Sequence, residues 1–377
     1  MPRHLRIITQ YALLLISFLF LLSCSSTPTP PLQTFLLVYR YDPPAFIEYS
    51  KDFQPTKEIP FSIPPSCGLD NTFPAPLGKY LLIELNCPNG QTVLFLDTES
   101  GSTTQPITDS DSHFLAWTSD GKAAYLKVDS LGNSHIVRAA PDGTQTFIPI
   151  TAFTYDLASK PNSRDFTFTF SRGIGSGSEL WLTQRDGKVA QQLYADKYNY
   201  ISFARFSPDG KQIAFIKIPD TQIPFTVGEL WVIPSTTGFA HLPWRAVPGN
   251  SAQPSAQGGK FLANADAGHG YAANWSPDGK RIAFVVRENP QDEKANQSSD
   301  ALISNIYVVE VETGKLNQIT KFTEGRAETP FWSPEGNILV FNVVINGRMN
   351  VSVADTASGE IKPLETVSTC CPAWMRK

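Results

Sequence analysis

Asn274-Trp-Ser-Pro-Asp-Gly-Lys-Arg-Ile-Ala-Phe-Val-Val-Arg287 is the stretch on which the reading of the fold turns. An aromatic residue, Trp275, closes one extended segment, Ser276 to Gly279 make a tight turn, and Ile282 to Val286 start another segment. Pro277 presets φ for the first central position of a turn. Asp278 can accept hydrogen bonds from nearby backbone, and Gly279 tolerates positive φ. The β-branched and aromatic residues on either side suit a pleated sheet.

The unit recurs. Phe206-Ser-Pro-Asp-Gly210 leads into Lys211-Gln-Ile-Ala-Phe215, and Trp332-Ser-Pro-Glu-Gly336 into Ile338 to Phe341. Trp117-Thr-Ser-Asp-Gly121 leads into Lys122 to Tyr125, with the proline lost. Two more eroded copies stand at Ala75 to Gly78 and Lys160 to Ser163. A third apolar segment follows each copy, as at Val93–Leu96, His135–Val137, Glu179–Leu182, Glu229–Ile233, Asn305–Val309 and Asn350–Val353. Most then reach a polar turn and a short fourth segment such as Leu316 to Thr320. Four strands at a period of about 40 to 50 residues is the sequence signature of a β-propeller blade.

The Trp/Phe-Ser-Pro-Asp-Gly-Lys-x-Ile-Ala-Phe pattern resembles the TolB-type propeller repeat, a relative of the WD-repeat class, over about residues 66 to 377. That resemblance implies a propeller that serves as a binding scaffold, and it points toward peptidoglycan-associated partners. The chain departs from the family in having no room before residue 33 for its additional N-terminal domain.

Ring closure follows from the ends of the repeat region. Phe35–Tyr39, Ala45–Tyr49 and Glu58–Phe61 read as three strands of a blade that lacks its first. Cys371-Pro-Ala-Trp374 matches Thr329-Pro-Phe-Trp332, a first strand. The expected fold is therefore all-β: a seven-bladed propeller of four-stranded antiparallel blades, closed by the C-terminal strand joining the N-terminal blade. Six blades, with residues 33–62 packed outside, are the alternative. Closure of this kind removes exposed sheet edges.

The N-terminus reads as a targeting segment. Arg3 and Arg6 precede a nearly unbroken apolar run, Tyr11 to Leu22, which ends at Leu21-Leu22-Ser23-Cys24 and resembles the bacterial lipobox. Residues 1–23 are then a lipoprotein signal peptide, Cys24 the lipidated residue, and 24–32 a Ser/Thr/Pro tether to a single propeller domain, 33–377. This places the protein in the bacterial cell envelope, lipid-anchored on the extracytoplasmic side, in the periplasm or at the cell surface.

In an oxidising compartment the remaining Cys67, Cys87, Cys370 and Cys371 form an even set with three possible pairings. Cys67 precedes a first strand and Cys87 lies between second and third strands, which puts both on one face and makes Cys67–Cys87 the candidate disulfide. Cys370 and Cys371 are left as a vicinal bridge or free thiols. The spacing of zinc ligand pairs is missing, and no metal or other cofactor is expected.

The net charge of −4 and the lack of a basic stripe exclude a nucleic-acid-binding reading. Gly173-Ile-Gly-Ser-Gly177 approaches a nucleophile elbow, but its serine is displaced by one place and no helix follows. No catalytic residues are assigned. When the first strands are aligned, Asp70, His113, Tyr155, Ser202, Tyr271, Glu328 and Cys370 fall at one level. Asp70, His113, Tyr155, Tyr271 and Glu328, with His269 nearby, are candidate ligand-binding residues at the mouth of the central channel. Three long connections, 218–228, 245–268 and 288–301, are expected on that same face, opposite the Ser-Pro-Asp-Gly turns. The expected function is a monomeric, membrane-tethered scaffold that binds an envelope protein or peptide. The alternative is a propeller, a binding protein or an enzyme, that takes a small ligand, sugar or metal at the channel mouth.

Overall fold

The computed structural model describes residues 33–376 apart from 77, 108–112, 129–133, 152–153, 172, 174, 185–188, 222, 237–258 and 267–271. Cys24, the leader and the tether lie outside the described residues. So do His269, Tyr271 and most of the 245–268 connection.

Among the described residues almost every element is a strand, and the strands are grouped in meanders. The first group is β1 (Thr34–Arg40), β2 (Ala45–Tyr49) and β3 (Pro55–Pro60). Four groups of four follow. They are β4 (Gly68–Pro74) to β7 (Thr103–Ile107), β8 (His113–Trp117) to β11 (Gln145–Thr151), β12 (Thr154–Ser159) to β15 (Val189–Asp196), and β16 (Asn199–Phe206) to β19 (Lys260–Asp266). Each group is a four-stranded sheet with its strands in sequence order.

The rest of the chain forms an eight-stranded sheet. One half is β20 (Asn274–Trp275), β21 (Arg281–Arg287), β22 (Ser304–Glu310) and β23 (Leu316–Gln318). The other is β24 (Arg326–Trp332), β25 (Ile338–Ile345), β26 (Arg348–Asp355) and β27 (Ile361–Pro363). The halves meet at a parallel pairing of Ser304 with Arg326.

The last strand, β28 (Thr369–Arg376), pairs antiparallel with β1, setting Leu36 opposite Trp374 and Phe35 opposite Met375. The first sheet is thus completed from the far end of the chain, in the order β28-β1-β2-β3. First strands of successive sheets touch: β28 meets β4, β8 meets β12, β12 meets β16, β16 meets β20, β20 meets β24, and β24 meets β28. Phe73 of β4 and Phe114 of β8 close the remaining gap with ring centroids 4.2 Å apart.

The repeat motif explains how neighbouring sheets stick together. Phe215, Phe284 and Phe341, at equivalent places in second strands, are fully buried. Each contributes about 2–3 kcal/mol through burial of its side chain. One apolar cluster joins Ala214, Ile216 and Leu230 to Ile282, Phe284 and Val309, across the boundary between two sheets. The tryptophans that end the first strands reach backwards. Trp117 Nε1 donates to Phe73 O (3.1 Å), Trp275 Nε1 to Arg205 O (3.0 Å), and Trp332 Nε1 to Asn274 O (3.0 Å).

The turn itself is a side-chain circuit. Ser276 Oγ donates to Asp278 Oδ1 (2.5 Å) and accepts from Arg281 N (3.0 Å), while Lys280 N donates to Asp278 Oδ1 (3.1 Å). Ser207 and Asp209 repeat it, at 2.7 Å between side chains. Such local bonds are why Ser and Asp are favoured at these turn positions.

Candidate functional site

The level marked by the candidate residues is where the inner strands are irregular. Register slips occur at Leu69/Asn71, Phe114/Ala116, Thr154/Asp156, Ser202/Arg205 and Glu328/Phe331. Phe203, Thr329 and Cys371 there adopt φ of 60°, 48° and 61°. A bulge takes an N–H out of the ladder, and a buried N–H needs another acceptor.

The acceptor comes from the preceding sheet. Phe114 N donates to Glu84 Oε1 (2.9 Å), Ala204 N to Asp156 Oδ2 (2.8 Å), and Cys371 N to Asn342 Oδ1 (3.2 Å). Sequence reasoning passed over all three side chains. The only signal was a polar residue set in an apolar strand, as in Leu82-Ile-Glu84-Leu85 and Asp156-Leu157. Burial pushes the Glu84 carboxyl up to about 7, although Phe114 N and Asn71 Nδ2 hydrogen-bond its charged form. Burial also raises Asp156, against the pull of Arg205, whose Nη1 lies 3.6 Å from Oδ1.

The candidate residues differ in what they have free. Asp70 is exposed and accepts from Gln91 Nε2 at 3.0 Å. Its carboxyl is raised by desolvation, with the charge of His113 on the next sheet opposing the shift. His113 is exposed as well. Tyr155 is engaged: its hydroxyl donates to Ile201 O (2.9 Å), its ring packs edge-on against Tyr200, and burial holds its proton well above the ordinary tyrosine range. Glu328 is buried and accepts from Arg326 Nε on its own strand. Among the described residues no group of three or more His, Cys, Asp or Glu side chains is placed to hold a metal ion.

The glycine-rich segment 173–177 already holds an anion. Gly175 N and Gly177 N donate to Asp220 Oδ2 of the neighbouring sheet, at 2.6 and 3.4 Å. A side chain at Gly177 would meet Asp196 O at 2.0 Å, so only glycine fits there.

Two of the three long connections are built structures among the described residues. Residues 288–303 contain a short helix, α1 (Glu293–Gln297), capped by Asp292, and a 3-10 turn at Ser299–Ala301. Ala295 and Leu302 are buried beneath them. The buried Arg287 ties this segment to the 220–226 connection, donating to Asn289 O (3.1 Å), Asp292 O (3.0 Å) and Phe225 O (3.1 Å). Phe225 N answers to Asn296 O at 3.3 Å. Arg326 Nη1 reaches Ser299 O at 3.1 Å, so this platform abuts the entrance of an inner strand. Part of 245–268 is not a connection: Lys260–Asp266 is strand β19, paired with β18 (Val227–Pro234). Its buried apolar side chains are the small Ala263 and Ala265, too weak a hydrophobic signal to mark a strand.

The disulfides are Cys67–Cys87 and the vicinal Cys370–Cys371. Both pack against the apolar cluster at the seam between the first two sheets.

No protein-family model matches the chain, and no curated protein matches it by sequence. Solved structures do. A prolyl endopeptidase superposes with a TM-score of 0.57 at 11% identity, over 92% of this chain and 50% of that one, so the chain spans about half its length. The β-propeller domain of the Trilobed protease from Pyrococcus furiosus, described as having an open velcro topology, matches at TM-score 0.50 and 14% identity, over 80% of this chain and 84% of that one. TolB from Acinetobacter baumannii is 17% identical over 88% of this chain and 78% of that one, with a TM-score of 0.45. At such identities likeness speaks to fold alone. Together with the meandering four-stranded sheets around touching inner strands, it makes this chain a β-propeller.

Proposed function

We propose that this protein is a lipid-anchored propeller of the bacterial cell envelope that binds a protein or peptide without catalysis. In this reading the eight-stranded sheet counts as two blades, giving seven, and Cys24 carries the lipid. The observation that carries the proposal is the fastening of 220–226 to 288–303 through Arg287 and Phe225. An ordered, partly polar platform beside the channel mouth suits recognition of a folded or extended partner, because little ordering entropy remains to be lost on binding.

A second reading has one observation in its favour, the exposure of Asp70 and His113 on neighbouring inner strands, where the charge of one acts on the other. It would hold a small polar ligand at the channel mouth.

Pull-down from detergent-solubilised envelope with the full chain separates the two. Reversing exposed platform charges (Glu293→Lys with Asp300→Lys) should abolish capture of a specific partner under the first reading, while His113→Ala with Asp70→Asn leaves it intact. Capture that survives the platform reversal would end the first reading; the second requires a small polar ligand whose binding is lost in His113→Ala with Asp70→Asn and kept in the platform variant.

A further inference from the structure

The Cys370–Cys371 bond has no evident structural duty. A disulfide stabilises a fold mainly by closing a loop in the unfolded chain, and more so for longer loops. Cys67–Cys87 spans 20 residues and does this, whereas neighbours in sequence close no loop. The vicinal pair nevertheless sits at a held place, on the inner strand β28 that completes the first sheet. Cys371 N donates to Asn342 Oδ1 (3.2 Å) of the preceding sheet, and Cys371 O accepts from Thr72 Oγ1 (3.0 Å) of the following one. The backbone of Cys371 is thereby held from both sides.

The two sulfurs are not equivalent. Cys370 is fully buried, and its Sγ accepts from the Tyr41 hydroxyl at 3.3 Å. Cys371 is partly exposed. We propose that Cys370–Cys371 is a thiol-exchange site that takes a low-molecular-weight thiol at Cys371, with Cys370 as the leaving group. An incoming thiolate attacks Cys371 Sγ, the S–S bond breaks, and its electron pair goes to Cys370 Sγ. The Tyr41 O–H steadies that charge until solvent supplies a proton. A second thiol then attacks the mixed disulfide at the small-molecule sulfur. Two thiols leave joined as their disulfide, and the cysteine pair is left reduced. Burial keeps Tyr41 protonated above the usual tyrosine range, so its donor persists at the pH where thiolates form.

The test uses the native full chain and reduced glutathione. After incubation the protein is quenched with iodoacetamide without unfolding, digested and mass-mapped. Glutathione or alkyl groups should appear first on Cys371, and the pair should open while Cys67–Cys87 stays intact. Tyr41→Phe, at a half-exposed position, should slow opening by about tenfold, the scale of one hydrogen bond to a charged group. The proposal is overturned if Cys67–Cys87 opens first or at the same rate, if glutathione adds at Cys370, if Tyr41→Phe leaves the rate unchanged, or if the untreated protein carries both thiols free.

Discussion

Pro277 lies directly against Gly336: a Cβ added to the glycine would stand 3.3 Å from Pro277 Cδ. The same relation recurs one unit earlier, where Pro208 Cδ is 3.6 Å from a Cβ placed on Gly279, and before that between Pro161 and Gly210 at 3.7 Å. In these three turns the proline is thus seated on the glycine of the next. The motif is a contact between units as well as a turn within one.

Gly336→Ala should therefore destabilise for two reasons. Its φ of 74° disfavours any side chain, and the methyl crowds Pro277. The expected loss is about 1–3 kcal/mol in urea unfolding. Adding Pro277→Ala should recover the crowding part and leave the backbone part. A double variant no more stable than Gly336→Ala would show that the proline contact is immaterial.

Glu84 should make stability fall as pH rises. Its carboxyl goes from 4.5 in the unfolded chain to about 7 when folded, because desolvation outweighs its two hydrogen bonds. The native state then holds a proton that the unfolded state releases. Its contribution is full below pH 4.5 and is lost progressively up to about pH 7, a difference of about 3 kcal/mol. Asp70, also raised, adds a slope of the same sign. Asp196, Asp209 and Asp278 are lowered and act oppositely, at acid pH. Glu84→Gln should flatten the profile between pH 5 and 7 in that range, as read from urea midpoints; an unchanged slope would exclude Glu84 as its source.

Arg287→Met removes the donor shared by three carbonyls while keeping most of the apolar stem. These half-buried carbonyls left without their shared donor should cost about 1–3 kcal/mol, concentrated in the platform. Limited proteolysis should cut within 288–303 well before the sheets unfold. Cleavage no faster than in the parent protein would mean the arginine does not fasten the two connections.

Trp332→Phe deletes the bond to Asn274 O and weakens the cation–π contact with Arg281, whose guanidinium lies 4.6 Å from the ring centre. Loss of about 1–2 kcal/mol is expected from these two terms. Differential scanning calorimetry of the variant and of Arg281→Ala, with the double, would reveal their coupling; strict additivity would mean the cation–π contact adds nothing.

The turns were readable in the sequence because their determinants are local: Ser276, Asp278 and Gly279 satisfy one another within a few residues. The pairing of β28 with β1 was readable too, since Trp374 repeats the spacing of Trp332. Other features were not, because they depend on residues far away in the chain. Glu84 looks misplaced until Phe114 N is brought to it, and 288–303 looks like slack until Phe225 arrives. The sequence aligned the candidate residues at one level of the inner strands but carried no sign of their partners. Nothing in the spacing foretold that Glu328 would be taken by Arg326, or Tyr155 by Ile201 O.

The partnership of Leu36 with Trp374 has a consequence for how the molecule is made. While the chain emerges from its N-terminus, β1 presents a bare edge until β28, more than 300 residues later, is available. Throughout that wait it is open to strands from other nascent copies. Contacts so distant in sequence also form slowly. Until β28 arrives, that edge is where strand pairing between copies is to be expected, and refolding yield should fall as protein concentration rises.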